Sequence, residues 1–223
     1  MTTDAETWAL VDDQRRRTIA LLGSLSPADW DAPSLCSDWT VKDVVGHLAW
    51  QRAASSASSL PGTIAAMLRA RGSMDAAISD LATRWAARRS VDELLGEVRL
   101  LPGHHRTVIG TTVINHLIDA IVHHHDIALA LGRGLDADPD AAAVAADSTW
   151  SLPKGFTLPV TRRLTAFRWR ATDTDWDRGD GPLIEGPMAA IECLLMGREA
   201  AGAHLSGPGL ASALAAVADP AIA

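Results

Sequence analysis

Cysteine is scarce in this sequence of 223 residues, and tyrosine is absent. The two cysteines, Cys36 and Cys193, lie far apart and form no Cys-x-x-Cys pair, which excludes a disulfide framework and a thiolate zinc site. Both are predicted to be small buried hydrophobic groups rather than nucleophiles. The sequence also lacks a run of about 18 uncharged apolar residues, which excludes a membrane-spanning helix. A reducing, cytoplasmic location is therefore expected.

Basic residues are fewer than acidic ones: the sequence has 20 lysine and arginine residues and 27 aspartate and glutamate residues, which gives a net charge of −7. An acidic chain binds phosphate-rich polymers poorly, which excludes nucleic acid as the main partner. The basic clusters at 15–17 and 84–89 are interpreted as solvated helix faces. With 48% hydrophobic and 21% charged residues, the composition is that of an ordinary globular protein with a substantial core.

Four long segments carry apolar residues at the period of an amphipathic helix. The first helix is predicted over 6–24, and the second begins after Thr40, a residue type that favours helix starts. The third is predicted over 73–101, with one interruption. The fourth is predicted to run from 104 to 131, since only Gly110 weakens its pattern.

The pattern changes in the last third of the chain. Residues 164–172 alternate between apolar and basic side chains, which is the period of a β-strand. The segment 173–186 is rich in aspartate and glycine and predicts a hairpin or a bulged turn, after which two helices close the sequence. The predicted fold class is therefore mainly α, with a helical bundle over 1–150 followed by a small α+β domain over 151–223.

The predicted fourth helix carries a narrow polar stripe on an otherwise apolar surface. The stripe, about 80° wide at 100° per residue, contains His116, Asp119, His123 and Asp126. Asp119 and His123 are four residues apart, the spacing that lets two helical side chains reach one ion. By itself the stripe fits a solvent-facing edge or a metal site equally well, so a ligand from another helix must decide.

His47 on the second helix is the candidate for that third ligand. It lies at the edge of the helix's apolar arc, where a lone histidine is also common as a partly buried residue. Two histidines and one carboxylate leave positions open on a divalent ion, which is typical of catalytic sites rather than structural ones. His116 is an alternative ligand. Asp43, one turn before His47, either orients its ring or caps the helix.

Three blocks of the sequence share residue types, spacing and order with one protein family. The blocks contain Trp30, Pro33, Cys36, Trp39–Val41, Asp43 and Gly46–Leu48; Val122–Asp126 with Leu131–Gly132; and Ala171–Asp173, Trp176, Gly179, Gly181, Gly186–Pro187, Gly197–Arg198 and Leu205–Gly207. Together they resemble the mycothiol-dependent maleylpyruvate isomerase family. This resemblance implies a DinB-like four-helix bundle with a small C-terminal domain.

The resemblance also implies a set of site residues. It implies a divalent metal, expected to be zinc, bound by His47, Asp119 and His123. The family usually has glutamate where this chain has Asp119, so either weaker coordination or participation of His116 is expected. The resemblance further implies that Arg198 faces the metal and assists carboxylates of the substrate or the thiol. Without the resemblance, Arg198 is equally well interpreted as a charge at a helix end.

The activity implied by the resemblance requires mycothiol as a thiol cosubstrate. A metal-bound thiolate would add to the double bond of maleylpyruvate, or of a similar small molecule, and leave after rotation. One alternative is a mycothiol S-transferase that detoxifies electrophiles, in which the sulfur remains on the product. Another is a metal-binding module without turnover.

Overall fold

The computed structural model describes residues 2–55, 60–71, 73–108, 110–151 and 158–218. These residues are mainly helical, as predicted, and the chain divides into two compact units, Met1–Leu131 and Gly132–Ala223. No helix among the described residues is both long and apolar enough to cross a membrane.

The described part of the first unit contains six α-helices and a short 3-10 turn over Pro27–Asp31. The helices are α1 (Asp4–Gly23), α2 (Val41–Ala54), α3 (Leu60–Arg69), α4 (Met74–Ala87), α5 (Val91–Val98) and α6 (Val113–Ala128). Helix α2 packs against both α4 and α6, and α1 packs along α6. The long third predicted helix is divided into α4 and α5, at a capping box formed by Ser90 and Glu93.

The fourth predicted helix is shorter than the sequence suggests. A helix is predicted over 104–131, but α6 begins only at Val113, and the described residues before it are not helical. Gly110 has a φ of +88°, a left-handed conformation that interrupts a right-handed helix. Thr112 is then the N-cap of α6. The four residues of the polar stripe still lie on one helix, because all of them follow Val113, where α6 begins.

The core of the first unit is mainly aliphatic, with Trp30 among its buried members. Fully or nearly fully buried members include Leu22, Val44, Val45, Leu94 and Ile127. At Gly46, an added Cβ would lie 2.8 Å from the Cβ of Ala86 and 2.9 Å from the carbonyl oxygen of Ala82. Only glycine lets α2 approach α4 this closely, and this contact fixes α2 immediately beside His47.

Arg15 is an exception to the predicted solvated face at 15–17, because its side chain is buried whereas Arg16 is exposed. Its guanidinium donates to the carbonyl oxygens of Leu101, at 2.9 Å, and His104, at 3.3 Å. It also forms an ion pair with Asp12 at 3.5 Å. These bonds attach the segment after α5 to α1, so the charge serves packing and not solvation.

The second unit combines helices with a small sheet. Its described elements are α7 (Pro139–Ser151), α8 (Pro159–Leu164), β1 (Arg168–Ala171), β2 (Asp177–Arg178), β3 (Leu183–Gly186), α9 (Met188–Leu195), a 3-10 helix (Glu199–His204) and α10 (Leu210–Val217). The strand order is β2-β1-β3, in which β1 is antiparallel to β2 and parallel to β3. The predicted hairpin is therefore the β1–β2 pair, followed by a parallel edge strand.

The boundary between the units lies at residue 131, earlier than the predicted boundary at residue 150. The difference is α7, which packs against α9 in the second unit. Thr149 donates to Glu192 on α9, with 3.1 Å between the oxygens, and Asp147 accepts from the indole nitrogen of Trp176 at 2.8 Å. Such contacts between distant residues leave no periodicity in the sequence.

Candidate metal centre

Helices α2 and α6 bring the three predicted metal ligands together. His47 Nε2 lies 3.0 Å from Asp119 Oδ1, and His123 Nε2 lies 3.4 Å from the same oxygen. One ligand atom from each residue lies within 4.8 Å of the other two. Two imidazole nitrogens and a carboxylate oxygen are a donor set that suits Zn²⁺ and similar divalent ions. The residues present therefore fit a metal.

The three side chains are mostly shielded from solvent, and Asp119 is the most exposed at 25%. Burial by itself would raise the pKa of Asp119, but the imidazoles of His123 and His47 outweigh it and hold that pKa well below its ordinary value. Burial would likewise lower the pKa of His123, but Asp119 and hydrogen bonds to Asp126 and Cys36 raise it well above its ordinary value. The carboxylate thus attracts positive charge, which protons or a cation can supply.

Two neighbouring side chains fix the orientation of these groups. The amide of Gln51, one turn after His47 on α2, donates to Asp119 Oδ2. Fully buried Asp126 lies 2.8 Å from Nδ1 of His123. A proton on Nδ1 donates to Asp126 and leaves the Nε2 lone pair directed at Asp119, the arrangement typical of metal-bound histidines. Neither residue was assigned a role from the sequence, although Gln51 lies four residues after His47 and Asp126 lies three residues after His123.

Cys36 also contacts the histidine cluster, which was not predicted from the sequence. Its Sγ lies 3.0 Å from Asp126 Oδ2 and 3.7 Å from His123 Nδ1. The thiol is half-buried and in contact with the site, whereas Cys193 is buried as predicted. Cys36, His123 and Asp126 also bring ligand atoms within 4.8 Å of one another. We favour the set with His47, because Asp126 orients His123 toward that set.

Trp39 covers the two histidines. Its ring centroid lies 5.5 Å from that of His47 and 6.1 Å from that of His123. Its indole N–H donates to Ser79 Oγ at 2.9 Å, which fixes the ring in place. The aromatic face excludes water from one side of the histidine pair and strengthens the electrostatic interactions there.

Two other candidate residues, His116 and Asp43, make contacts outside the histidine cluster. His116 Nε2 accepts a hydrogen bond from the backbone N–H of Val108 at 3.2 Å, and burial lowers the pKa of His116. Among the described residues it joins no cluster of potential ligands, so its alternative role as a ligand is not supported. Asp43 accepts from the N–H and hydroxyl of Thr40 and caps α2. His47 Nδ1 is buried without a hydrogen-bond partner in the described part of the chain, so Asp43 does not orient that ring.

Arg198 lies in the second unit, just after α9, and is half-buried. Its guanidinium donates to the carbonyl oxygen of Met196 at 2.8 Å. Burial raises the pKa of the neighbouring Glu192 to about 8, while the Coulombic attraction of Arg198 acts in the opposite direction. The local surroundings therefore tie Arg198 to the end of α9.

A cavity of about 420 Å³ opens beside the histidine cluster within the first unit. Residues of α2 and α6, among them His47, Gln51 and Asp119, form part of its wall, and residues of α3, α4 and the segment before α6 form the rest. Its size is within the range of sites for small organic molecules. Of the three potential ligands, His47 and Asp119 thus border a space that a small molecule can enter.

Comparisons with known proteins agree with this architecture. The family model described as the mycothiol maleylpyruvate isomerase N-terminal domain matches residues 11–128, more than half of the chain. No curated protein matches. Among solved structures, a crystal structure of the mycothiol-dependent maleylpyruvate isomerase is 14% identical, with 93% of each chain covered and a TM-score of 0.58.

A crystal structure of a histidine-to-alanine mutant of a mycothiol-dependent maleylpyruvate isomerase is also 14% identical over 93% of each chain, with a TM-score of 0.57. These likenesses confirm the predicted fold, a DinB-like helical bundle followed by a small α+β domain. The match to the family model extends over α1, α2 and α6, which carry the histidine cluster and its surroundings. The chain therefore belongs to the mycothiol-dependent maleylpyruvate isomerase family.

Proposed function

We propose that this chain is an enzyme that binds a divalent metal, expected to be zinc, through His47, Asp119 and His123. Its cosubstrate is mycothiol, and its substrate is a small electrophilic molecule. The observation that carries the proposal is the convergence of two imidazole nitrogens on one carboxylate at the wall of a cavity. Membership of the family supports mycothiol as the thiol.

The chain's own residues have separable roles in this proposal. His47, Asp119 and His123 hold the cation, which when bound lowers the pKa of a thiol so that the thiolate exists at neutral pH. Gln51 keeps Asp119 directed at the histidines. Asp126 holds the proton of His123 on Nδ1, and Trp39 excludes water from one side. Three protein ligands leave room for the sulfur of an external thiol.

Two reactions are compatible with this arrangement. In an isomerase, the thiolate sulfur adds to one carbon of a conjugated cis double bond, rotation follows about the resulting single bond, and the thiolate leaves as the trans double bond forms. In an S-transferase, the sulfur remains bonded to carbon and another group departs with the electron pair. We propose that Arg198 assists the substrate or the thiol in either reaction, as the family resemblance implies.

Metal content and turnover test the proposal separately. The purified protein is expected to bind about one divalent ion per chain, and His47→Ala and His123→Ala are expected to lose most of it. His204→Ala is the matched control, because His204 is exposed in the second unit and distant in sequence from the cluster. Metal retained in both cluster variants would contradict the assigned ligands.

Turnover distinguishes the enzyme classes. The metal-loaded protein is mixed with mycothiol and either maleylpyruvate or a set of alkyl and aryl halides. Thiol consumed in step with halide release indicates a transferase, and conversion without net thiol loss indicates an isomerase. A protein that binds metal but converts none of these compounds would favour a non-catalytic metal-binding module.

A further inference from the structure

A second cavity of the first unit, of about 400 Å³, lies where residues of α2, α4 and α5 meet the segment after α5. None of the three potential metal ligands lines it. The polar residues that the structure places in its wall are Arg52, Ser55, Arg89, Glu97, His104 and Arg106. Three of these six residues are arginines, although the chain as a whole has a net charge of −7. Positive charge is therefore concentrated at this wall, against the average of the chain.

Two of the three arginines have no counter-ion among the described residues. The side chains of Arg52 and Arg106 are exposed, and neither guanidinium forms an ion pair or a hydrogen bond within that part of the chain. Arg89 differs, because it pairs with Glu97 at 2.8 Å and stacks on the ring of Trp85. Glu97 also accepts from the indole N–H of Trp85 at 2.7 Å. The charge of Glu97 is thus already neutralised, whereas two positive charges of the wall are not.

Ser55 and His104 form a hydrogen-bonded pair in the same wall. Ser55 Oγ lies 2.8 Å from His104 Nε2 and donates to the carbonyl oxygen of Arg52, also at 2.8 Å. Burial lowers the pKa of His104, and the charges of neighbouring groups lower it further. Those groups are Arg15, Arg52, Arg106 and His105. Their contribution indicates a positive electrostatic potential at the ring, which attracts anions.

We propose that this second cavity binds an anion of the phosphate type, with Arg52 and Arg106 as its counter-ions and the hydroxyl of Ser55 beside it. Guanidinium groups suit this ligand, because their paired N–H donors match the spacing of phosphate oxygens. The anion is either inorganic phosphate or the phosphate group of a small molecule, since a cavity of this size accommodates both. The inference goes beyond the proposed function, because neither the metal ligands nor the thiol chemistry takes part in it.

Stabilisation of a helix end is the other reason for a cation at this place. Arg52 lies in the last turn of α2, where a positive charge interacts favourably with the helix's terminal carbonyl oxygens. Arg106 lies outside the helices, so that explanation does not extend to it. Two guanidinium groups that come from separate segments and line one cavity favour a shared ligand.

Calorimetric titration of the purified, metal-loaded protein with inorganic phosphate tests the proposal at low ionic strength, where charges are least screened. Arg52→Gln and Arg106→Gln should each raise the Kd of phosphate by about tenfold, since each removes a charge-assisted hydrogen bond. Arg16→Gln is the matched control, because Arg16 is an exposed arginine of α1 that does not line the cavity. An equal increase of Kd in all three variants, or no saturable binding by the wild type, would overturn the proposal.

Phenyl phosphate distinguishes the two sources of the anion. It carries the same charged group on an aromatic ring, and the stacked side chains of Trp85 and Arg89 offer a flat surface in the wall. Tighter binding of phenyl phosphate than of inorganic phosphate would identify a phosphorylated small molecule as the occupant. Equal or weaker binding of phenyl phosphate would identify the free ion.

A metal ion at the histidine cluster would also attract phosphate, so His47→Ala separates the two sites. This variant is expected to lose the metal and to retain the phosphate binding that depends on Arg52. Binding that is lost in His47→Ala and unaffected in Arg52→Gln would overturn the proposal and assign the anion to the metal. A wild-type protein that binds phosphate but no metal would reject the proposed function and leave the phosphate site standing.

The ring of His104 provides a second measurement that needs no variant. A bound anion offsets the positive charges around the ring, so saturation with sulfate should raise the pKa of His104 in an NMR titration. Sulfate is the probe because it remains a dianion over the titrated range. The ring resonances of His204, which is exposed in the second unit, should not respond to sulfate. A pKa of His104 that does not change with saturating sulfate would contradict an anion beside it.

Discussion

The side-chain amide of Gln51, on α2, donates a hydrogen bond to Oδ2 of Asp119, on α6. The other carboxylate oxygen of Asp119, Oδ1, faces His47 and His123. The same turn of α2 therefore contributes a potential metal ligand and the group that orients a second one. The short side chain of Asp119 is held in place by this bond. The orientation of Asp119 depends on both helices.

Loss of this hydrogen bond should weaken the metal site without unfolding the bundle. Gln51→Leu keeps the side-chain volume but removes the donor to Asp119, so metal affinity should fall by about 10- to 100-fold. Competition with a chelating dye measures the affinity. Arg52→Ala is the control on the same helix, because Arg52 is exposed and should leave the affinity unchanged. An unaltered affinity in Gln51→Leu would show that the bond has no effect on the site.

Asp126 should act through the Nδ1 proton of His123. Asp126→Ala removes the acceptor and should lower metal affinity by about 10- to 100-fold, whereas Asp126→Asn keeps an oxygen acceptor and should lose less. The measurement is metal competition, with thermal unfolding of the metal-free proteins as a check on stability. Equal losses of affinity in the two variants would indicate a general structural effect and contradict the positioning role.

Arg198→Gln tests the role implied by the family resemblance. Removing one charge-assisted hydrogen bond to the thiol or the substrate should raise one KM by about tenfold or more, with metal content unchanged. Steady-state kinetics with each reactant varied in turn identifies the contact. Arg162→Gln is the control, because Arg162 is an exposed arginine of the same unit. An unchanged KM for both reactants would contradict the role of Arg198 in binding either of them.

The buried carboxyl of Glu192 should make the second unit less stable as pH rises. Burial raises the pKa of Glu192 to about 8, while the ordinary value is 4.5. Between these values the folded state retains a proton that the unfolded state releases. The free energy of unfolding should therefore fall by about 1.4 kcal/mol per pH unit across this window, with full stability below it.

Urea unfolding at pH 5.5 and 7.5 measures this effect as the difference between the wild type and Glu192→Gln. The variant should lose less stability between the two pH values than the wild type. Glu199→Gln provides the control, because Glu199 is exposed in the same unit. Identical pH dependence in the wild type and Glu192→Gln would show that the raised pKa of Glu192 is wrong.

Gly46 should be intolerant of even one methyl group. An added Cβ would lie 2.8 Å from the Cβ of Ala86 and 2.9 Å from a backbone oxygen, so Gly46→Ala should lower the free energy of unfolding by about 1–3 kcal/mol. Gly96→Ala is the matched control in α5, where nothing lies within 4 Å, and it should stabilise by roughly 0.5–1 kcal/mol. Chemical unfolding of both variants makes the comparison. Equal effects of the two substitutions would contradict the close α2–α4 contact.

Much of the fold was predictable because local signals determine it. The capping pattern at Thr40 and the apolar period after it predict α2, and the alternation around Trp169 predicts β1. The start of α6 was wrong because the effect of Gly110 depends on its positive φ, which composition alone does not specify. The unit boundary differed because α7 packs through Thr149 and other contacts with residues distant in sequence.

By itself, the sequence determined the helical faces, and with them the i,i+4 pair of Asp119 and His123, because helical periodicity places residues on faces without any tertiary contact. Only the tertiary structure decided that His47 meets this pair and that His116 is bonded to Val108 instead. It also decided that Gln51, Asp126 and Cys36 surround the cluster. The physical reason is that which faces meet depends on side-chain packing between helices, including the close approach of α2 to α4 at Gly46, and helix periodicity carries no information about that pairing.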